Sequence, residues 1–364
     1  MSEYKILQPM KYATARNKDV LKEALSSDNY GIQLKVDGSS YVWARDLDGS
    51  VHLYGDKISK KTGEIIDKID NVPHLKKFAE MFFPVGSQLI VEIACRYNWT
   101  ARKWEEHSSS KYVNSIMLCS PPKAVERQEA TEPCLAYVFD ILFWNGEPVY
   151  KKDFAQRYGM LNALKEMWSA ERREWLTFAE LFVDNKSEKI AEWLSNGEEG
   201  GVLKALTSTN KVSAAHAVSE IGATPKRPMH TTYKIKQVDT VDVVIMDVQL
   251  PTKAYTGKDP DNYPYRDEND QPINRLYALG MVNGFVIGLY DDKNELVMIG
   301  TVASGLDDPM RKAAYDDPGD YIGKVIEVDC MSSDKAGKSL RHPRLMKMRP
   351  DKNPMHCTMK EVFA

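Results

Sequence analysis

Apolar and polar positions alternate along this chain in two different styles. Up to about Gln237, helix-like and strand-like stretches are mixed. "NKDVLKEALSS" has helical spacing and leads into the strand-like "YGIQLKV". "SSYVWARDLDGSVHLYGD" alternates on both sides of Asp48-Gly49, as a hairpin does. "VPHLKKFAEMFF" reads as a helix stopped by Pro84, and "SQLIVEIAC" and "CLAYVFDILFW" read as buried strands, the second closed by the turn "NGEP". Helices over "DFAQRYGMLNALKEMW" and "NKSEKIAEWLSNG" precede the strand "GGVLKAL". A polar segment from Thr207 to Thr232 and the strand-rich "TYKIKQVDTVDVVIMDVQL" follow. Past Gln237 helical periodicity nearly vanishes. "DVVIMDVQL", "ALGMVNGFVIGLY", "ELVMIGTVAS" and "KVIEVDCM" are short strands, with one short helix around "DPMRKAAY".

These patterns predict an α+β chain in two domains, 1–237 and 238–364, and a length of 364 residues suits two cores. Short strands with one intervening helix make the second domain a small barrel of the OB-fold kind. Pro251 to Asn274, rich in Pro, Asp, Asn and Tyr, reads as a long surface loop within it. With 43% hydrophobic and 28% charged residues, the composition is that of a globular protein. The start "MSEYKILQPM" lacks a secretory pattern, and no apolar run approaches a membrane span, so no membrane partner and a cytoplasmic location are expected. The five cysteines show no C-x-x-C, which argues against a zinc site or a disulfide framework. A net charge of -3 leaves nucleic-acid binding to local basic surface. From Ser332 to Lys352, seven lysines and arginines face two aspartates, and "RYNWTARKWEEHSSSKYVNS" mixes cations with aromatics in what reads as a surface loop.

Charged residues recur inside the predicted strands. Lys35 lies in "QLKVDG" before Asp37 and Gly38, Glu92 interrupts the apolar "LIVEIA", and "VFDIL" carries Phe139 and Asp140. Glu199 precedes two glycines in "EEGGVLK", with Lys204 five residues on, and Lys234 and Lys236 share one face of "YKIK". Each has a bland reading: a turn lysine, half of a buried ion pair, a core phenylalanine, a helix-ending turn, a solvated strand face. Together they form the kit a nucleotide needs, with cations for phosphates, an aromatic face for a base, and carboxylates for a divalent metal and ribose hydroxyls. A lysine amine also becomes a nucleophile where burial and neighbouring cations lower its pKa. "GKS" at 337–339 is a decoy, because Ser332 stands where a Walker loop needs glycine.

In order and separation, "KVDG", "VEIA", "VFDIL", "EGGVLK" and "YKIK" resemble the nucleotidyltransferase motifs of ATP-dependent DNA ligases. The resemblance continues through "IGTVASGLDD" and "YIGKVIEVDCM" to "RPDK", and the compact build is similar to the small phage and virus enzymes. It implies a nucleotidyltransferase domain of ATP-grasp-like antiparallel sheets followed by an OB-fold domain, with ATP and Mg²⁺ as cofactors. It also implies a monomer sealing nicked duplex DNA through a lysyl-adenylate, without NAD or a separate N-terminal DNA-binding domain. Lys35 would be the nucleophile, and Asp37 and Gly38 would shape its turn. Glu92 would contact ribose or metal, Phe139 would stack on adenine, and Glu199 would bind Mg²⁺. Lys234 and Lys236 would hold the α-phosphate, and Arg349, Asp351 and Lys352 would orient pyrophosphate after closure about a hinge at Gln237 and Val238. Leu34 and Lys204 belong to the expected nucleotide-binding set.

Three positions depart from the family's pattern. Gln33 stands where many members have glutamate, and its amide oxygen can still accept from the adenine amino group. Ser40 replaces a phosphate-binding arginine. Where a serine-arginine pair is usual, the chain has Asp56 and Lys57, and Lys57 is the candidate substitute, as a point charge. The rival readings are an RNA ligase and an OB-fold binding module beside a decayed transferase domain.

Overall fold

The computed structural model describes residues 4–9, 12–14, 18–59, 62–99, 101–168, 175–207, 218–221, 229–236, 239–257, 260–330, 332–334 and 339–363. They form two compact units of mixed α/β structure, Met1–Lys236 and Gln237–Ala364. The proposed hinge pair, Gln237 and Val238, lies outside the described residues.

The first unit runs β1 (Tyr12–Thr14), α1 (Lys18–Ser26), β2 (Tyr30–Leu34), β3 (Ser39–Arg45), β4 (Val51–Ile58), β5 (Ile65–Asp67), α2 (Pro73–Phe82), β6 (Ser87–Ala94), α3 (Ser110–Met117), α4 (Pro121–Glu129), β7 (Leu135–Phe143), α5 (Phe154–Met167), β8 (Leu176–Phe178), α6 (Lys186–Ser195), β9 (Gly200–Ala205) and β10 (Met229–Lys236). Six strands pair in the order β8-β7-β6-β3-β4-β5, and four in the order β1-β10-β9-β2. The expected all-antiparallel sheets need one amendment each. β7 runs parallel to β8, and β10 parallel to β1.

Period-two alternation assigns each face. Trp43, Leu89, Val91, Ile93, Ala136 and Val138 leave the large sheet on the side covered by α2 to α5, where Leu75, Phe78, Val113, Ile116 and Leu161 meet them. On the smaller sheet Ile32, Leu203 and Ile235 pack against Ala24 of α1 and Ile190 and Trp193 of α6. Burying a side chain of this kind contributes roughly 1.5–3 kcal/mol, enough to fix which face each strand presents. The opposite face of the small sheet is left to the intervening residues Gln33, Val202, Lys204, Lys234 and Lys236.

Two segments differ from their sequence expectation. The supposed loop after Cys95 contains a ribbon pairing Tyr97–Asn98 with Lys103–Trp104 and then enters α3, capped by Ser109, whose side chain accepts from Lys111 N–H. The polar segment from Thr207 to Thr232 contributes Val218–Glu220 to a ribbon with Leu7–Pro9, and its last residues already belong to β10.

The second unit runs β11 (Asp239–Gln249), β12 (Gly284–Tyr290), β13 (Leu296–Val302), α7 (Asp308–Asp316), β14 (Val325–Cys330) and β15 (Arg344–Met348). Its sheet order is β13-β12-β11-β14-β15. Just past β13, Ser304 forms a parallel bridge to Arg344 of β15, and Leu345 N–H donates to Ser304 C=O at 2.9 Å. Val243, Ile245, Phe285, Ile287, Leu289, Val302, Val328 and Leu345 fill the core beneath. Two short helices the periodicity did not predict, Arg275–Ala278 and Met359–Phe363, also belong to this unit.

Candidate active site

Close backbone approach builds the site. The turn between β2 and β3 carries Lys35, Asp37 and Gly38. A methyl group on Gly38 would stand 2.3 Å from Ile93 O and 2.9 Å from Glu92 Cγ, so only glycine lets this turn lie against β6 beside Glu92. Ser108 clamps the same turn, donating its hydroxyl to Asp37 C=O at 2.7 Å while accepting Cys95 N–H at 2.9 Å. Gly200, at φ +129°, performs the equivalent service for β9. Its backbone passes so near β10 that a Cβ would lie 2.1 Å from Ile235 O. That proximity sets Glu199 against Lys236, and Lys35 N–H, donating to Gly200 C=O at 2.9 Å, brings in the lysine.

Glu199 is the centre. Its Oε1 receives Lys236 Nζ at 2.6 Å and its Oε2 receives Lys35 Nζ, with all three side chains no more than 16% exposed. Lys35 and Glu199 are 164 residues apart in sequence. Lys234, two residues before Lys236 and on the same face, is pushed below the ordinary lysine range by burial and by the Lys35 and Lys236 ammonium groups. Glu92 completes the group. Burial pushes its carboxyl up to about 7, against the pull of Lys35 and Lys234 and with the push of Glu199. In cross-strand register Ser40, Glu92 and Tyr137 form one row of the large sheet. Ser40 is exposed at its end, and Lys57 is exposed on β4.

Phe139 sits at a bulge in the β7–β6 pairing. Beside it is a buried charge cluster that the sequence did not announce. Arg157 grips Asp140 with two hydrogen bonds, Nε to Oδ1 at 2.8 Å and Nη2 to Oδ2 at 3.0 Å. Lys204 donates to Phe139 C=O at 3.1 Å, its Nζ 5.0 Å from the Phe139 ring centre and 4.3 Å from that of Phe154. Burial pushes Lys204 down to about 8 against Asp140. Burial alone would raise Asp140, but Arg157 and Lys204 outweigh it and hold the carboxyl below its usual range. The capping box of α5, Asp153 with Gln156, fixes the helix turn that delivers Arg157. That signature was visible in "DFAQ"; its use was not.

Gln33 projects from β2 on the face shared with Lys234, aligned through Val202. It is 1% exposed, and neither amide Oε1 nor Nε2 has a hydrogen-bond partner among the described residues. Leu34 faces the other way and packs on the Ile32–Leu203 core.

Arg349, Asp351 and Lys352 belong to the second unit and pair within it. Arg349 donates to Asp351 at 3.0 and 2.8 Å, to Asp242 at 2.9 Å and to Glu327 at 3.1 Å, and Lys352 stands 3.3 Å from Asp242. The hydrogen bond from Arg349 takes the Asp351 carboxyl down to about 2.

One constellation elsewhere imitates a hydrolase triad: Ser50 Oγ is 2.7 Å from His52 Nε2, and His52 Nδ1 is 2.8 Å from Asp67. Ser50 donates its proton to Asp48, however, at 2.5 Å, and the hydrogen bond to Asp67 raises the His52 pKa. His52 bridges Ser50 and Asp67 and so staples the β4–β5 strands, and with the Ser50 proton committed to Asp48 the three do not form a nucleophile–base pair.

For a magnesium ion the carboxylates on offer are Glu92 and Glu199, and no group of three or more acidic, histidine or cysteine side chains suited to a metal occurs among the described residues. Magnesium commonly takes one or two carboxylates and fills its shell with substrate phosphates and water, so this pair fits it.

Comparison with known proteins follows the same lines. Two curated DNA ligases are similar, one from Methanocorpusculum labreanum, 26% identical over 241 residues, 60% of this chain and 36% of that protein. The other is from Acidianus ambivalens, 22% identical over 348 residues, 85% and 52%. The chain thus spans about a third to a half of the length of these relatives. Among solved structures, Pmar-Lig_Pre shares the fold with a TM-score of 0.57 at 13% identity, covering 94% of this chain and 68% of that one. A structure from work on DNA binding by Lig E DNA ligases does so with a TM-score of 0.54 at 15% identity, covering 94% and 99%. Residues 9–216, more than half of the chain, match the ATP dependent DNA ligase domain, and the protein belongs to that family.

Proposed function

We propose that the chain is an ATP-dependent ligase that seals nicks in duplex DNA through a covalent lysyl-adenylate on Lys35. The observation that carries this is the chain of ion pairs Lys35–Glu199–Lys236, assembled at the end of β2, the start of β9 and the end of β10 inside a family whose description names ATP.

In the first step Lys35 Nζ attacks the α-phosphorus of ATP, a P–N bond forms, and pyrophosphate leaves. The 5′-phosphate at the nick then takes the AMP, and the 3′-hydroxyl displaces it to form the phosphodiester. Each step is an in-line displacement, so the protein mainly positions groups and offsets charge. Glu199 holds Lys35 in place and is the nearest acceptor for its proton. Lys234 and Lys236 meet the α-phosphate oxygens, and Phe139 supplies the face on which the base stacks. Glu92 and Glu199 would hold Mg²⁺, which when bound neutralises charge on the phosphates. Asp37 and Gly38 shape the nucleophile's turn, and Lys57 is the candidate for the phosphate contact that Ser40 does not provide.

The second unit we read as an OB-fold barrel. Supporting this are its strand order and the parallel Ser304–Arg344 bridge between the segment after β13 and β15, which joins the sheet's two edges. Arg349, Asp351 and Lys352 would orient pyrophosphate from there, giving up some of their present ion pairs to do so. A monomer working in the cytoplasm on nicked duplex completes the proposal.

The test is a nicked duplex with a labelled 5′-phosphate, incubated with protein, ATP and Mg²⁺. Sealing of the nick, with a DNA-adenylate appearing transiently, is expected. Sealing of nicked RNA while DNA stays open would favour the RNA-ligase reading, and no sealing of either would reject both.

A further inference from the structure

We propose that His107 and Ser108 are positioning residues for the first step, a two-residue brace that sets the distance between the nucleophile's turn and the loop bearing Glu199. This rests on the preceding reading of Lys35 as the nucleophile, and adds what keeps its proton acceptor in reach.

The two halves of the site come from distant parts of the chain, and both lie beyond the ends of their strands. Lys35 and Asp37 stand past the end of β2, and Gly197, Glu198 and Glu199 lie between α6 and β9. The backbone hydrogen bond from Lys35 to Gly200 joins them at the edge of the sheet. Beyond it, consecutive residues of a third segment reach both. Ser108 donates its hydroxyl to Asp37 C=O at 2.7 Å. His107 Nδ1 stands 3.2 Å from Glu198 Oε1, and its ring lies against Gly197, where a Cβ would come within 3.2 Å of Nε2. Adjacent Cα atoms are held about 3.8 Å apart by a planar peptide, so two contacts made by neighbouring residues have little room to drift apart.

The brace is itself fixed. Cys95, just past β6, donates its N–H to Ser108 Oγ at 2.9 Å and accepts Ser109 N–H at 3.3 Å. Ser109 then caps α3, whose Val113, Ile116 and Met117 lie in the core. His107 and Ser108 thus carry the rigidity of β6 and α3 to the neighbours of Lys35 and Glu199. In the first step Lys35 gives a proton to Glu199 as its Nζ forms the P–N bond and pyrophosphate leaves. Misplacing such partners by about 1 Å can cost on the order of a hundredfold in rate. In the last step the 3′-hydroxyl displaces AMP from the DNA-adenylate, and no bond to Lys35 forms or breaks. The brace therefore bears on the first step far more than on the last.

The experiment compares the full wild-type chain with His107→Ala and Ser108→Ala in two assays containing Mg²⁺. The first follows covalent labelling by ATP that carries its label at the α-phosphate, over a range of ATP concentrations. The second follows, without ATP, the sealing of a nick whose 5′-phosphate already bears AMP. Each variant should lower the maximal labelling rate by about tenfold to a hundredfold, with half-saturation by ATP and the sealing rate within about threefold of wild type. Unchanged labelling in either variant would overturn the proposal. So would equal slowing of labelling and sealing, the mark of a general loss of structure. A rise in the half-saturating ATP concentration that accounts for the whole effect would overturn it too, since the pair would then act in binding the nucleotide. The side chains of His107 and Glu198 are 28% and 26% exposed, so His107→Ala disturbs no buried packing, and it decides alone should Ser108→Ala fail to fold. Wild-type protein that takes no label would instead count against Lys35 as nucleophile.

Discussion

Gly200→Ala tests whether the site is built by backbone approach. The new methyl group would sit 2.1 Å from Ile235 O and 3.1 Å from Lys236 Cα, both backbone atoms of a paired strand that cannot swing aside. The residue's φ of +129° adds strain of its own. Overpacking costs about 1–3 kcal/mol and a conformation reserved for glycine about 1–3 more, so the sum is roughly 2–6 kcal/mol. At about 2–4 °C per kcal/mol for a unit of this size, the melting midpoint should fall by roughly 4–24 °C. Relief by parting β9 from β10 would move Glu199 off Lys236 and slow adenylation together with the loss of stability. Gly159→Ala supplies the control. Gly159 lies within α5, and nothing stands within 4 Å of an added methyl there, so the same substitution should stabilise by about 1 kcal/mol. Thermal unfolding of both variants, with labelling by ATP, decides the matter. A Gly200→Ala protein that melts with the wild type and adenylates at the same rate would refute the reasoning.

Two further outcomes follow from the charges. Arg157→Ala strips the buried Asp140 of its bidentate partner and should cost about 3–5 kcal/mol in urea unfolding, whereas Lys204→Met leaves that pair intact and should cost under about 1.5 kcal/mol; equal losses would show that Arg157 is not the dominant partner of the aspartate. His52, its pKa raised by Asp67, contributes stability that is fully present below its unfolded pKa of about 6.5 and lost as pH rises through the higher folded value. The stability gap between wild type and His52→Asn should therefore shrink as pH rises above about 6.5, and a gap that widens with pH would contradict the pairing.

The strands were legible because burial on one side imposes a period of two, as "YKIK" shows with Ile235 inward and its lysines on the other face. The glycines of "KVDG" and "EEGG" were legible as motif members, yet the reason for them, contact with Ile93 and Ile235, appears only when distant strands are paired. α3 escaped notice because the segment in which it starts read as a basic and aromatic loop, and the stretch that carries α4 was assigned no element. The Ser120-Pro121-Pro122 start of α4 is a helix signal that could have been weighed. Asp140 and Lys204 stood out as charges in predicted strands, but neither Arg157 nor the meeting of the three was legible. They lie on a strand, a helix and another strand, and no periodicity links them. Nor could the sequence show that the Gln33 amide is left without a partner, since that depends on everything packed around it.

Everything in the mechanism depends on which nitrogen carries the adenylate. The direct measurement is mass spectrometry of peptides from protein incubated with ATP and Mg²⁺, alongside Lys35→Ala treated identically. One AMP on Lys35 of the wild type and none on the variant is the predicted result. Adenylate on another lysine, or undiminished adenylation of Lys35→Ala, would contradict the account.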